Sequence, residues 1–153
     1  MNGYLVDTNI FNCILDGSID SNQLVNKSCY ATHIQLDEIR ATTDTERRSR
    51  LENVFKQVIK EQIPTESVVI GVSRFNQAKL SDGTKYNQLL QRLNELNKRK
   101  SNNVQDALIA ETAITNNLIL VTLDRVLSQV TTELGGSTCS LNKLLKPNDW
   151  FSE

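Results

Sequence analysis

The fold is decided by residues 102–124, NNVQDALIAETAITNNLILVTLD, where a helical pattern runs into a short apolar segment. Positions 104–116 contain no Gly or Pro and are rich in Ala, and their apolar residues recur at helical spacing. The Asn-Asn pair at 116–117 ends this pattern. Because 118–123 is too short for a second helix, it predicts a buried strand. The stretch is therefore typical of an α/β protein.

Two acids in this stretch occupy unusual positions. Asp106 falls inside the apolar arc of the predicted helix, where a carboxylate is costly unless something compensates it. Asp124 ends the predicted strand. Each acid also has a simpler interpretation. Asn103 could be the N-cap of the helix, with Asp106 three residues later as the other half of a capping-box-like pair. Asp124 could cap a helix at 125–134. The arc consists of Ala107, Ile109, Ala110, Ala113 and Ile114.

Two further acids follow strand-like runs near the start of the chain. Residues 3–6 are apolar and end at Asp7, ahead of a predicted helix at 8–15. A second run, 28–32, precedes a predicted helix at 34–41 that carries Glu38. The carboxyl ends of parallel strands meet at the crevice where ligands bind. We therefore expect these two acids to lie near Asp106 and Asp124.

The neighbours of these acids allow more than one role. Glu38 is one helical turn beyond Ile34 and shares its face, which leaves Asp37 pointing to solvent. Thr8 is predicted to cap the first helix, whereas Asn9 could cap it or hydrogen-bond a neighbouring carboxylate. His33, the single histidine, lacks a His or Cys partner at ligand spacing, so a structural role is favoured over a ligand or base.

Strands and helices alternate along the rest of the chain, and no linker or repeat interrupts residues 1–153. This pattern predicts one domain, an α/β sandwich with a mainly parallel central sheet flanked by helices. The remaining predicted elements are a helix that follows a capping box at 43–46 and is ended by Pro64, a β-like run at 67–72, a helix at 84–98, an edge strand at 137–140 and a helical turn at 141–145. Trp150 and Phe151 could pack on their own domain or on a second copy.

Composition excludes several classes of protein. A hydrophobic content of 39% with 23% charged residues is ordinary for a globular chain. Nothing approaches a membrane span of ~18 apolar residues, and no signal-peptide pattern precedes the first strand. The three cysteines lack a Cys-x-x-Cys spacing, which indicates small buried side chains in a reducing compartment. We therefore expect a cytoplasmic protein without a membrane partner.

The net charge of −1 does not by itself indicate a nucleic-acid binder. Two basic clusters stand out nevertheless, and they are either solvated helix faces or RNA-binding surfaces. They consist of Arg47, Arg48, Arg50, Lys56 and Lys60, and of Lys98, Arg99 and Lys100.

Four converging carboxylates need a compensating charge. Two of them ~5 Å apart repel each other by roughly 3 kcal/mol at an effective dielectric constant of about 20. Crowding of this kind raises pKa values or requires a cation. Oxygen ligands without Cys or His select hard ions such as Mg²⁺ or Mn²⁺, which activate water and neutralise charge on a phosphodiester.

The ordered set of motifs resembles the PIN-domain nucleases, which include toxins of the VapC type. The resemblance rests on 5–9 (LVDTN), on Thr32 with Glu38 six residues later, on 106–110 (DALIA) and on 120–124 (LVTLD). It spans nearly the whole chain in the family's order. The resemblance implies a PIN-like three-layer sandwich.

The resemblance also implies site residues, a reaction and partners. Asp7, Glu38, Asp106 and Asp124 take the places of the catalytic, metal-binding acids, with Asn9 and Thr122 as hydrogen-bonding support. The expected activity is Mg²⁺- or Mn²⁺-dependent endoribonuclease cleavage leaving a 5′-phosphate and a 3′-hydroxyl. A toxin of this type is expected to pair with an antitoxin and to form a homodimer.

Two departures from the family pattern bear on these expectations. A further acid often found two residues after the fourth one is replaced by Val126, which weakens the case for a second metal. The segment between Glu38 and Asp106 is longer than in compact VapC-type toxins. A catalytically silent RNA- or protein-binding domain is the main alternative.

Other acid-rich folds fit the residues less well. Haloacid-dehalogenase-like phosphatases need an acid at the position of Asn9. Response-regulator receivers need a Lys directly after the last core strand, where this chain offers none until Lys143. A related nuclease acting on DNA flaps would use the same acids.

Overall fold

A sheet of five parallel strands forms the centre of a computed structural model of the chain, which describes residues 3–17, 19–67, 83–98 and 100–145. The elements in chain order are β1 (Gly3–Val6), α1 (Thr8–Leu15), α2 (Asn22–Val25), β2 (Ser28–Ala31), α3 (His33–Arg40), α4 (Thr45–Val58), β3 (Glu61–Gln62), α5 (Thr84–Asn97), α6 (Asn103–Thr115), β4 (Ile119–Val121), α7 (Arg125–Glu133), β5 (Ser137–Cys139) and α8 (Leu141–Leu145). The strand order is β3-β2-β1-β4-β5.

The central strand β1 fixes the register of the sheet. Leu5 pairs with Tyr30 of β2 on one side and with Leu120 of β4 on the other, and all of these pairings are parallel. The last residue of the strand, Val6, pairs with Val121. The residues after β1 and β4 therefore leave the sheet side by side, and the N–H of the residue after Val6 donates to the carbonyl of Val121 at 2.9 Å.

Helices cover both faces of the sheet, because alternate residues of a strand point to opposite sides. Val6 packs into the core on the side of α1 and α4, where the rings of Phe11 and Phe55 lie 5.4 Å apart. Leu5 packs into the core formed with α5, α6 and α7, which includes Leu93 and Leu108. The three layers agree with the predicted α/β sandwich and its mainly parallel sheet.

The structure differs from the sequence-based prediction between residues 59 and 63. The fourth helix ends at Val58 rather than at Pro64. Beyond it, the N–H groups of Lys60 and Ile63 donate to carbonyls of β2 at 2.8 Å each, which adds the two-residue strand β3. The prediction was wrong here because two exposed residues carry no detectable periodicity.

Other elements lie close to their predicted bounds. Helix α6 begins at Asn103, one residue before the prediction, and β5 lies at the predicted edge of the sheet. The short helix α2 was not predicted. The predicted run at 67–72 beyond Ser67, together with Trp150 and Phe151, lies outside the described residues.

None of the helices in the described ranges is long and apolar enough to cross a membrane.

Candidate active site

Asp7 is the best-anchored acid of the site. It follows β1, is 7% exposed and serves as the N-cap of α1, with Oδ1 accepting from the N–H of Thr8 at 2.8 Å. Its Oδ2 accepts from Oγ1 of Thr122 at 2.6 Å. Burial raises the pKa of Asp7, the two hydrogen bonds lower it, and the charge of Asp124 raises it further.

Thr8 connects α1 to α3 instead of capping its own helix. The cap is Asp7, so the prediction for Thr8 was wrong. The Thr8 hydroxyl donates to Oε1 of Glu38 at 2.9 Å. Because Asp7 already accepts the first N–H of the helix, this hydroxyl is left to bind the second acid.

Asp7, Glu38, Asp106 and Asp124 form the group of acids that we call the acid crevice. Glu38 lies at its exposed rim. Glu38 is exposed and Asp37 is half-buried, so the expectation that Asp37 would point to solvent was wrong. Partial loss of hydration at the Glu38 carboxylate raises its pKa to about 7. The hydrogen bond from Thr8 opposes this shift, and the nearby charge of Asp7 adds to it.

Asp124 caps α7 and also faces the other acids. Its Oδ1 accepts from the N–H groups of Val126 and Leu127 at 2.9 and 3.1 Å, so the capping role is confirmed. Its own N–H donates to Oγ1 of Thr122 at 3.0 Å. Thr122 is 5% exposed and bridges Asp124 to Asp7. The second carboxylate oxygen of Asp124, Oδ2, accepts no hydrogen bond from the described residues.

Asp106 enters the site from α6 and is 7% exposed. Asn102, not Asn103, is the N-cap of this helix, and it forms no side-chain cap bond, so the predicted pairing of Asp106 with Asn103 was wrong. The amide of Asn103 instead binds Asn94 and Asn97 of α5. Asp106 is left with a 3.5 Å contact from Nδ2 of Asn102, the limit of a hydrogen bond.

The four predicted acids interact electrostatically. Burial raises the pKa of Asp106 to about 8, and the charges of Asp7, Asp124 and Glu38 raise it in that order. Lys100 lowers it. The structure therefore brings together the acids that follow β1 and β4 and the acids on α3 and α6, which are up to 117 residues apart along the chain.

The donor set suits a hard cation, although no preformed cage is present. Among the described residues, no three Asp, Glu, His or Cys side chains are close enough to enclose an ion. Mg²⁺ does not need such a cage, because it keeps several waters and binds one or two carboxylates together with substrate phosphate. The crevice supplies carboxylate oxygens from Asp7, Asp106 and Asp124, with Glu38 at its rim. These residues fit the ion.

Asn9 does not support a carboxylate directly. Its Oδ1 is buried in the first turn of α1 without a hydrogen-bond partner, and none of its side-chain atoms bonds an acid among the described residues. The expected hydrogen bond is thus absent in the part of the chain that the structure describes. An unpaired buried acceptor is costly, so a donor such as an ordered water would be stabilised there.

The basic residues divide between two environments. Arg47 donates to Oδ1 of Asp16 at 2.9 Å and to Asn12, and Arg50 pairs with Glu46. Arg48 donates to the carbonyl of Thr42. Lys98 is exposed at the end of α5, Lys100 lies near enough to act on Asp106, and Arg99 is outside the described residues.

Gln35 is a positioning residue that the sequence analysis missed. Its Nε2 donates to the carbonyl of Val6 at 3.1 Å, directly before Asp7, and its Oε1 accepts from the N–H of Thr32 at 2.9 Å. This contact ties α3, and with it Glu38, to the end of β1. The Thr32-x-x-Gln35 capping box was the available signal. His33 is buried in the first turn of α3.

Comparison with solved structures identifies the fold. The chain resembles VapBC2 from Rickettsia felis bound to a DNA fragment from their promoter, with TM-score 0.57, 20% identity and coverage of 90% of this chain and 97% of the other. PAE2754 from Pyrobaculum aerophilum gives TM-score 0.56, 17% identity and coverage of 94% and 93%. DNA-bound VapBC from Salmonella typhimurium gives TM-score 0.57, 14% identity and coverage of 92% and 98%.

Sequence-level comparisons add nothing to this likeness. No family model matches the chain. No curated protein matches it either. The structural likeness, at 20% identity or less, establishes a VapC-like PIN fold, which agrees with the predicted fold and with the family resemblance in the sequence.

Proposed function

We propose that the chain is a Mg²⁺- or Mn²⁺-dependent endoribonuclease. The observation that carries this proposal is the meeting of four acids from separate elements at the carboxyl edge of the sheet. Asp7 and Asp106 are buried there, and threonine hydroxyls hold Asp7 and Glu38. Two buried carboxylates facing further acids are unfavourable unless they serve to bind a cation.

The chemistry follows from the donor set. A hard divalent ion, when bound, lowers the pKa of a coordinated water and neutralises charge on the phosphodiester. In the resulting hydrolysis, water oxygen forms a bond to phosphorus and the bond from phosphorus to the 3′ oxygen breaks. The 3′ oxygen takes up a proton, so the products are a 5′-phosphate and a 3′-hydroxyl.

The side chains of the protein act by holding the acids in place. Thr122 fixes Oδ2 of Asp7, and Thr8 fixes Oε1 of Glu38. Gln35 fixes the backbone from which Asp7 projects. Fixed carboxylates bind an ion with less loss of conformational freedom, and outer hydrogen bonds of this kind typically contribute 10- to 100-fold in metal affinity or activity.

The names of the similar structures suggest a partner. Two of them are VapBC complexes of toxin-antitoxin type, so we include a protein antitoxin in the proposal. Homodimer formation, a cytoplasmic location and a single domain across residues 1–153 remain predictions from the sequence.

The test is cleavage of single-stranded RNA by the purified chain with Mg²⁺ and with EDTA. The Asp7→Asn variant keeps a side chain that can cap α1, so it is expected to fold and to lose activity by about 100-fold or more. Asp20→Asn makes the same chemical change at an exposed residue outside the crevice and is expected to cleave like the parent.

Two results would contradict the proposal. The first is equal cleavage in Mg²⁺ and EDTA. The second is an Asp7→Asn variant that cleaves like the parent while melting at a similar temperature. RNA binding without cleavage under any divalent ion would favour the catalytically silent domain instead.

A further inference from the structure

A polar groove leads away from the acid crevice along the edge of the sheet. It has a volume of about 510 Å³ and begins at Thr122 and Asp124, so it shares two residues with the site described above. From there it passes between the first turn of α7 and the end of β5. We call it the β5 groove.

We propose that the β5 groove binds the sugar–phosphate backbone of the single-stranded substrate on one side of the cleaved bond. This proposal rests on the proposed nuclease function, because it assigns the path of the strand to that same site. The residues assigned to it are Arg125, Ser128, Thr138 and Lys143, with Leu123 as the apolar contact.

The first argument is charge. Arg125 and Lys143 lie on the groove, and neither forms an ion pair within the described residues. The predicted basic residues Arg47 and Arg50, by contrast, are already paired with carboxylates. Uncompensated cations beside a groove are available for phosphate, and phosphate contacts dominate the affinity of proteins for nucleic acids.

The second argument is the chemistry of the groove wall. Ser128 and Thr138 both line it and are hydrogen-bonded to each other, with their hydroxyl oxygens 2.9 Å apart. Hydroxyl groups are common partners of phosphate and sugar oxygens. One of the two hydroxyls donates to the other, and the hydroxyl that accepts keeps its own proton free to donate to a ligand.

The third argument is the position of Leu123. It is 48% exposed and is one of two large apolar side chains that are exposed among the described residues. It sits directly before Asp124 at the junction of groove and crevice. In single-stranded nucleic acids the bases are unstacked, and an apolar surface beside phosphate-binding groups can pack against the face of such a base.

The fourth argument is continuity with the reaction site. A strand whose phosphate lies at Asp124 must continue in both directions over the surface. The β5 groove is lined by Asp124 and, directly beside it, by the cation Arg125, which reduces repulsion between the acids and the strand. Binding there would place one flank of the strand without obstructing the acids.

The test measures binding separately from cleavage. A fluorescein-labelled 12-nucleotide RNA is titrated with the full chain in EDTA, and anisotropy gives the dissociation constant at several salt concentrations. The groove variant is Arg125→Gln with Lys143→Gln. Its matched control is Lys56→Gln with Lys60→Gln, which removes the same charge from exposed positions on and after α4.

We expect the groove variant to bind RNA about tenfold or more weakly, with the slope of log K against log salt reduced by about 1.4, since each of the two lost phosphate contacts contributes about 0.7 on a single strand. The control should change the affinity by less than about twofold. In Mg²⁺, the groove variant should raise KM and leave kcat nearly unchanged. A DNA strand of the same sequence distinguishes binding of the shared backbone from binding that requires ribose.

The proposal is overturned if both double variants weaken binding equally, if the control weakens it more, or if the parent chain binds no RNA. Cleavage assays on the same proteins distinguish failure of the groove proposal from failure of the proposed nuclease function. A parent that cleaves, together with groove variants that bind and cleave normally, refutes the groove and leaves the proposed function intact. An inactive parent that still shows groove-dependent RNA binding refutes the nuclease and keeps the groove.

Discussion

Helix α6 carries two buried acids, Asp106 and Glu111, which differ in hydrogen bonding, although Oε1 of Glu111 has no hydrogen-bond partner among the described residues. Both are less than a tenth exposed, and burial raises the pKa of each. Oε2 of Glu111 accepts a 2.8 Å hydrogen bond from Ser67, and the charge of Glu66 acts on it. Asp106 has one contact at the limit of hydrogen bonding and faces three other acids.

Under the proposed function, the difference assigns a structural role to Glu111 and a metal-binding role to Asp106. Glu111 accepts a hydrogen bond from the buried residue Ser67, so its burial helps to fix residues 65–67 to α6. Among the described residues, the charge of Lys100 opposes the rise in the pKa of Asp106, and little else does. A hard divalent cation is the ion that would neutralise a cluster of carboxylate oxygens of this kind. The predictions below test this contrast.

The largest effect is expected from removing the charge of Asp106. Asp106→Asn should lower Mg²⁺-dependent RNA cleavage by about 100-fold or more, because the residue is proposed to bind the ion. The matched change at the other end of the helix, Glu111→Gln, should leave cleavage within a few fold of the parent. Steady-state rates of both purified variants check this prediction, and equal losses would remove the contrast.

A smaller effect is expected at Thr122. Thr122→Val keeps the shape of the side chain but removes the hydrogen bonds to Asp7 and from the N–H of Asp124. Because the hydroxyl positions a carboxylate, we expect Mn²⁺ affinity to fall about 10- to 100-fold. Thr122→Ser should restore most of the affinity. If the Val variant binds Mn²⁺ like the parent, the hydroxyl has no positioning role.

The most specific effect concerns pH. The pKa values of Asp106 and Glu38 are raised to about 8 and about 7, so the folded state holds protons there that the unfolded chain releases near pH 4. The stability that these bound protons contribute is fully present below about pH 4, and it is lost as the pH rises toward 8. The midpoint of urea unfolding in EDTA should therefore fall over this interval.

Metal should reverse that trend. Saturating Mn²⁺ favours the ionised carboxylates, so the unfolding midpoint should fall less, or rise, between pH 5 and pH 8. The Asp106→Asn variant should show a weaker pH dependence in EDTA than the parent. A parent curve that rises steadily with pH in EDTA would contradict the raised pKa values.

Much of the site could be predicted because strand, acid and helix follow one another in the sequence. Asp7 and Asp124 each end an apolar run and begin a helix, which places them at one edge of a parallel sheet whatever the exact register. The position of Asp106 inside an apolar helical arc predicted its burial. These inferences need only local periodicity and topology.

The errors concern contacts that periodicity does not encode. Thr8 was expected to cap its helix, but Asp7 takes that role and frees the hydroxyl for Glu38, which is 30 residues away. Gln35 binds the carbonyl of Val6, a long-range contact. The two-residue strand β3 forms because β2 offers free carbonyls, which the sequence of β3 does not reveal.

The central claim is that the acid crevice binds a divalent cation, and calorimetric titration of the full chain with Mn²⁺ at neutral pH tests it most directly. We predict saturable binding to the parent and to Glu111→Gln, and loss of that binding in Asp106→Asn. Absence of Mn²⁺ and Mg²⁺ binding to the folded parent, or undiminished binding by Asp106→Asn, would contradict the claim.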